Sequence, residues 1–270
     1  MDKKKVYLFI DESGDPSFYA KGNRCIVGTE GFMPILFIGM IKIENKKAVR
    51  KAVLDFMEEL KNDPLYNTLP CITNKKGWYL HASYDNLEVQ IKFIDFLRKL
   101  NGFKFYCVIG RKRLDLFHKK HNKNETEFYF DLVYNLLKDR MNNEEDFYQI
   151  LLSARNKSTQ HKLKDAIDSA VIRDNKRRKK PLNIEYNSEI VRSDDTPELS
   201  IVDYMLWVLQ RYIIKGDKRF FNVLESKFNL IIDLYDFDLY KSKGKSNYYH
   251  SKNLFDLEKA SEFKKDGYIK

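Results

Sequence analysis

Apolar runs with a two-residue period alternate along the chain with segments of helical spacing. Residues 6–10 are apolar on both alternating faces, with Val6, Leu8 and Ile10 on one and Tyr7 and Phe9 on the other. A strand of that kind is covered by helices above and below. A second apolar run at 35–43 is interrupted by Gly39. Residues 45–60 have helical spacing through Val49, Val53, Phe56, Met57 and Leu60, and 87–100 through Val89, Phe93, Phe96 and Leu97. Between them, 61–76 reads as a loop with Pro64 and Pro70, and 78–81 as a short strand.

The pattern then predicts a strand at 103–109, a helix at 125–141, a strand at 147–152, a helix at 157–172 and an alternating strand at 182–191. The clearest helix is 197–214, with Thr196 as N-cap and Pro197 at its first position. From Arg219 the chain begins helical and becomes irregular and aromatic. Early adjacent strands followed by alternating helix and strand predict an α/β fold, a mixed sheet with helices on both faces. No repeat or interdomain linker divides it. The expected organisation is one domain over 1–270, with a core of about 4–215 and a C-terminal extension of about 216–270.

Composition adds a partner class. The chain has 49 Lys and Arg against 39 Asp and Glu, a net charge of +10. That balance favours a polyanion such as RNA or DNA, the alternative being an ordinary basic cytosolic protein. Cys25, Cys71 and Cys107 form no CxxC pair or disulfide framework, which points to a reducing compartment. The first apolar run is too short for a signal peptide, and 32–41, broken by Pro34, is too short to span a bilayer. A soluble cytoplasmic protein without a membrane partner is expected.

Two carboxylates break the apolar pattern. Asp11 continues the Tyr7–Phe9 face at the end of the first strand and begins the acidic turn Asp11-Glu12-Ser13-Gly14-Asp15. Asp203 falls inside the apolar stripe Leu199, Val202, Leu206, Leu209 and Ile213 of the last long helix, too far along it to act as a cap. A carboxylate on a buried face needs a partner. One solution is a salt bridge or a hydrogen bond to a neighbouring loop. The other is a divalent cation shared by Asp11 and Asp203, since carboxylate oxygens suit Mg²⁺ or Mn²⁺ and such ions activate water against a phosphodiester.

Several segments together resemble the bacterial family known as domain of unknown function 3800, regarded as ribonuclease-H-like. They are Leu8-Phe9-Ile10-Asp11-Glu12-Ser13-Gly14-Asp15, Leu80-His81-Ala82, Leu199-Ser200-Ile201-Val202-Asp203-Tyr204, Trp207-Val208-Leu209-Gln210-Arg211, and Tyr248-Tyr249-His250-Ser251-Lys252-Asn253. The resemblance spans nearly the whole chain. It implies a five-stranded mixed sheet, with a helical insertion after the second strand, whose first strand and last core helix each supply a metal-binding Asp, here Asp11 and Asp203. It also implies a further acid on or near the fourth strand. This chain offers only Ser153 there, then Arg155. Glu12, Asp15 or the Asp194–Asp195 pair are the candidates to replace it.

Secondary candidates follow. Glu12 points to the face opposite Asp11 unless the strand breaks. Asp15 is either a metal ligand or a turn former, and His81 either a proton shuttle, a metal ligand or a structural hydrogen-bonding group. His118 and His121 read as surface residues, and Asp194 and Asp195 as helix-capping acids. For nucleic acid, Arg155 and Lys157 follow the fourth strand, and 173–180 is a dense basic stretch that includes Arg177, Arg178 and Lys179. Tyr248 and Tyr249, with the lysines at 241, 243 and 245, suit either base stacking or packing over the core. The leading reading is a Mg²⁺- or Mn²⁺-dependent nuclease. The alternatives are a non-catalytic nucleic-acid-binding module on the same fold, or a protein-interaction component of a phage-defence or mobile-element system.

Overall fold

The computed structural model describes residues 3–74, 77–154, 160–236 and 246–264, with the backbone alone for 160–163. Seven strands form one sheet: β1 (Lys4–Ser13), β2 (Ile35–Ile43), β3 (Phe103–Arg111), β4 (Asp146–Ser153), β5 (Glu185–Val191), β6 (Phe228–Leu234) and β7 (Tyr248–Tyr249). Their spatial order is β5-β4-β1-β2-β3-β6-β7. β1 is parallel to β4 and β4 to β5, whereas β2 is antiparallel to both β1 and β3. The five expected strands are therefore contiguous in one mixed sheet. The segment expected as an irregular extension adds β6, parallel to β3, and β7 at the edge.

The helices divide between the two faces as the side-chain period demands. One face carries Phe9, Phe37, Ile41, Phe105 and Cys107 under α1 (Lys46–Asn62), α3 (Leu87–Lys99), α7 (Leu199–Lys215) and α8 (Arg219–Leu224). The other carries Val6, Leu8, Ile10, Ile38 and Val108 under α5 (Glu125–Leu137) and α6 (Gln160–Arg177). The short α2 (Pro70–Thr73) and α4 (Leu114–Lys119) lie in connections. α1 buries the five apolar residues its spacing selects and is capped by the Asn45 side chain, which accepts from Ala48 N. Where β2 passes beneath α7, Gly39 has no side chain because a Cβ there would lie 2.8 Å from Leu206. No described helix is long and apolar enough to cross a membrane.

Some local expectations give way to tertiary contacts. Residues 78–81 are extended but join no sheet. Thr196 does not cap α7, which has no side-chain cap; a turn of i→i+3 bonds through Thr196, Pro197 and Glu198 leads into it. His121 is not a surface residue: it is 2 % exposed, with Nε2 3.1 Å from the Tyr235 hydroxyl. His118 does stay near solvent, 2.8 Å from Tyr19 Oη.

The end of β3 carries a buried cation. Arg111 is 1 % exposed; its Nε and Nη2 donate to the two Asp233 oxygens at 2.9 and 2.8 Å, and Nη2 also reaches Asp236 at 3.2 Å. The carbonyls of Ser261 and Glu262 accept from the same guanidinium at 2.8 and 3.0 Å, and the Phe263 ring lies 3.9 Å from it. This network fastens the C-terminal segment to the sheet. Burial pushes the Asp233 carboxyl up to about 6, although Arg111 opposes the shift. Arg111→Met is expected to cost about 3–5 kcal/mol by stranding buried carboxylates. Urea unfolding should show a smaller loss at pH 5 than at pH 8, because a protonated Asp233 no longer needs a cation.

Candidate functional site

β1, β4 and β5 are parallel, so their C-terminal ends share one pole of the sheet. The register of β1 and β4 ends at Ile10↔Leu152, and the next residues on the face toward α7 are Asp11 and Ser153. Asp11 is paired with Gly39 of β2. Gly39 is the point that Leu206 of α7 covers, and Asp203 lies one helical turn before Leu206. Farther along, Ser13 Oγ donates to Gln210 Oε1 at 2.9 Å. The end of β1 and its neighbour Gly39 are thus fastened to α7 through Leu206 and Gln210, one and two helical turns after Asp203.

Asp203 Oδ2 accepts the Ala82 N–H at 2.7 Å and lies 3.7 Å from His81 Nδ1. Oδ1 makes no hydrogen bond among the described residues, and the side chain is 23 % exposed. Burial pushes this carboxyl up to about 7; the Ala82 N–H opposes the shift and the Asp85 charge adds to it. The loop that supplies Ala82 is itself bound to α7. Asp85, 6 % exposed, accepts from His81 N at 2.8 Å, Trp78 Nε1 at 3.2 Å and Tyr204 Oη at 2.6 Å. Gln90 Nε2 donates to the carbonyls of Ala82 and Asp85.

Tyr79 shows which charges converge. Its hydroxyl is pushed up first by burial, then by Asp194, Asp203, Tyr84 and Asp11. The charges of carboxylates on β1, on α7 and in the segment before α7 therefore all act on one phenol. Asp194 is held by Arg192, which keeps its carboxyl below the usual range. A cleft of about 210 Å³ opens alongside, lined by Arg50, Met57, Tyr79, Asp194 and Ser200.

The remaining candidates lie elsewhere. β1 stays paired through Ser13, so Glu12 faces away from Asp11. Asp15 is exposed, accepts the Ser17 N–H at 2.8 Å, and acts on Lys112 of the opposite face. In place of a fourth-strand acid, Ser153 Oγ lies 3.1 Å from Ser193 Oγ. Arg177 and Arg178 pair with Asp174 and Asp139 at the C-terminal end of α6. α6 leads into the start of β5, so these arginines and the exposed Lys179 occupy the pole opposite Asp11. That places them roughly a strand length, about 20 Å, from the aspartates. Arg155, Lys157 and the lysines at 241, 243 and 245 lie outside the described residues.

The donor set at the pole is oxygen, which suits Mg²⁺ or Mn²⁺. Among the described residues no group of three or more His, Cys, Asp or Glu is placed to hold a metal ion. Mg²⁺ commonly takes one or two protein carboxylates and completes its shell with water and phosphate oxygens.

No protein-family model and no curated protein matches the sequence. The fold is similar to a chain of the PCNA:RNase HII complex from Archaeoglobus fulgidus, with 12 % identity, a TM-score of 0.43, and coverage of 83 % of this chain and 81 % of that one. It is similar to ribonuclease H2 from Pyrococcus horikoshii at 13 % identity and the same TM-score, over 83 % and 80 % of the two chains. Neither likeness bears on the role of any side chain.

The raised Asp203 carboxyl has a consequence for stability. Its value in the folded chain lies above the ordinary 3.8, so its favourable contribution is complete below about pH 4 and is lost as pH rises through 7. Asp203→Asn keeps an acceptor for Ala82 and removes the charge. Thermal melts should place the variant above the wild type at pH 8, with the gap closing toward pH 4.

Proposed function

We propose that the protein is a metal-dependent nuclease-like enzyme that hydrolyses phosphodiester bonds in nucleic acid, and that Asp11 and Asp203 are its metal ligands. The observation that carries the reading is Asp203: a carboxylate in an apolar helical stripe, with one oxygen fixed by Ala82 and the other without a hydrogen bond among the described residues, beside the strand end that bears Asp11. The sheet topology and the resemblance to the domain of unknown function 3800 family support the same reading.

A divalent cation bound there would neutralise charge on the phosphate and acidify a water. The protein's own residues have separate tasks. Ala82 N–H fixes the orientation of Asp203, and Asp85 and Tyr204 fix the loop that carries Ala82. His81 Nδ1 accepts the Ser83 N–H at 3.2 Å, which places the neutral ring's proton on Nε2, where it would serve as a hydrogen-bond donor to a phosphate oxygen.

The donor count favours a second reading, a nucleic-acid-binding module without hydrolysis, because two carboxylates are fewer than a self-sufficient metal site uses. One set of measurements separates the two. Labelled single- and double-stranded RNA and DNA are incubated with Mg²⁺, Mn²⁺ or chelator. Cleavage should require the cation and fall at least about 100-fold in Asp11→Asn and Asp203→Asn. Each cation should also raise the melting temperature of the wild type and of neither variant. Activity that survives both substitutions would overturn the assignment, and retardation of nucleic acid without cutting would establish the binding module.

A further inference from the structure

The rim of the site carries a feature that hydrolysis alone does not require. Tyr84 is 64 % exposed, and among the described residues no other Phe, Tyr or Trp is classed as exposed. It is not on a loose loop. Tyr84 N and Asp85 N both donate to the His81 carbonyl, at 3.0 and 2.9 Å, and Asp85 and Gln90 anchor the turn from either side. The Tyr84 ring centroid lies 4.4 Å from that of His81, which lies 6.2 Å from that of Tyr79. His81 is in turn 3.7 Å from Asp203. Three rings therefore run from the carboxylates outward to solvent, and the outermost is held with its surface in water.

Several described cations near this pole are already engaged. Arg192 holds Asp194, Arg50 reaches Glu198 and the Asp195 carbonyl, and Arg111 and Lys112 are buried. The exposed Lys21 and Arg24, in the connection from β1 to β2, can meet a phosphate backbone but read no base. A nucleobase offers a flat apolar face instead, and base–aromatic stacking tolerates any sequence because every base has a π-face. In a duplex that face is covered by neighbouring base pairs, whereas an unpaired strand presents it.

We propose that Tyr84 is a base-stacking residue of this site and that the substrate is single-stranded nucleic acid, whose base seats on Tyr84 while the adjoining phosphate reaches Asp11 and Asp203. The position of that phosphate rests on the functional reading above; the stacking does not. Leu87 and Ile91, 56 % and 51 % exposed on the next turns of α3, extend the apolar surface beyond the ring. Those two residues also suit a protein partner, an outcome that the test distinguishes.

The test is fluorescence anisotropy of labelled single-stranded oligonucleotides and their duplexes with the full chain, in Mg²⁺, beside cleavage of the same oligonucleotides. Single strands should bind more tightly than duplexes. Tyr84→Ala should weaken single-strand binding about 10-fold, in the range that loss of one stacked base costs, and leave the melting temperature unchanged. Tyr84→Phe and Tyr84→Trp, which keep an aromatic ring, should restore binding. An abasic position placed along the oligonucleotide should, at one location, cost the wild type as much as Tyr84→Ala does and cost the variant nothing further.

Equal binding of duplex and single strand, or Tyr84→Ala and Tyr84→Phe affinities that match the wild type, would overturn the proposal. So would self-association or capture of a protein partner that depends on Tyr84, Leu87 and Ile91 while oligonucleotide binding does not. Tyr84-dependent binding without cleavage under any cation would keep the stacking and refute the nuclease reading. Cleavage with KM values independent of Tyr84 would do the reverse.

Discussion

Two adjacent residues of α7 hold one loop, and the candidate site depends on that grip. Asp203 accepts the Ala82 N–H, and the Tyr204 hydroxyl donates to Asp85, which also collects the His81 N–H and the Trp78 indole. Neighbouring positions on a helix point about 100° apart, so together they engage a loop from two directions. Residues 78–81 have no sheet partner, and side-chain acceptors from this set satisfy donors along the loop instead. The same loop carries Tyr79, His81 and Tyr84. Loosening the grip would displace Tyr79, His81 and Tyr84 together.

The direction of the strands decides which charges matter. β1, β4 and β5 end at the pole that holds Asp11, Ser153 and the segment leading to Asp194, whereas α6 delivers its basic end to the other pole. A net charge of +10 therefore describes the whole molecule and not the site. Arg177 and Arg178 are in addition neutralised locally by Asp139 and Asp174, an arrangement that closes the turn from α6 toward β5.

The legible part of the fold follows from periodicity. Five apolar positions of α1 and the two alternating faces of β1 are buried as their spacing requires, and the order of elements was enough for a mixed sheet covered on both sides. What stayed hidden depends on partners distant in sequence. Residues 78–81 have the apolar content of a strand, but their donors go to Asp85 and the adjoining Ala82 N–H goes to Asp203, which no local pattern reveals. β6 follows two short helical turns, and its place in the sheet is set by pairing with β3 more than a hundred residues earlier. His121 sits in a polar stretch and is buried because Tyr235 and Asp131 close over it. Asp85, which no pattern in the sequence singles out, is the hub of the loop. Asp11 and Asp203 were visible as carboxylates out of place, whereas the packing of the β1 end against α7 through Gly39–Leu206 and Ser13–Gln210 was not.

Asp85 and Asp203 both accept backbone N–H groups of the same loop, and burial raises both carboxyls, yet their hydrogen bonding differs. Asp85 receives three donors across its two oxygens, so its negative charge is consumed in holding the loop. Asp203 receives one donor on one oxygen, and burial works against its charge. An asparagine would make the Ala82 bond equally well without that cost. Stability therefore explains an acceptor at position 203 but not an ionisable one. The charge has meaning only if something positive completes it, whether a proton or a cation, and the open Oδ1 beside the Asp11 strand end favours the cation.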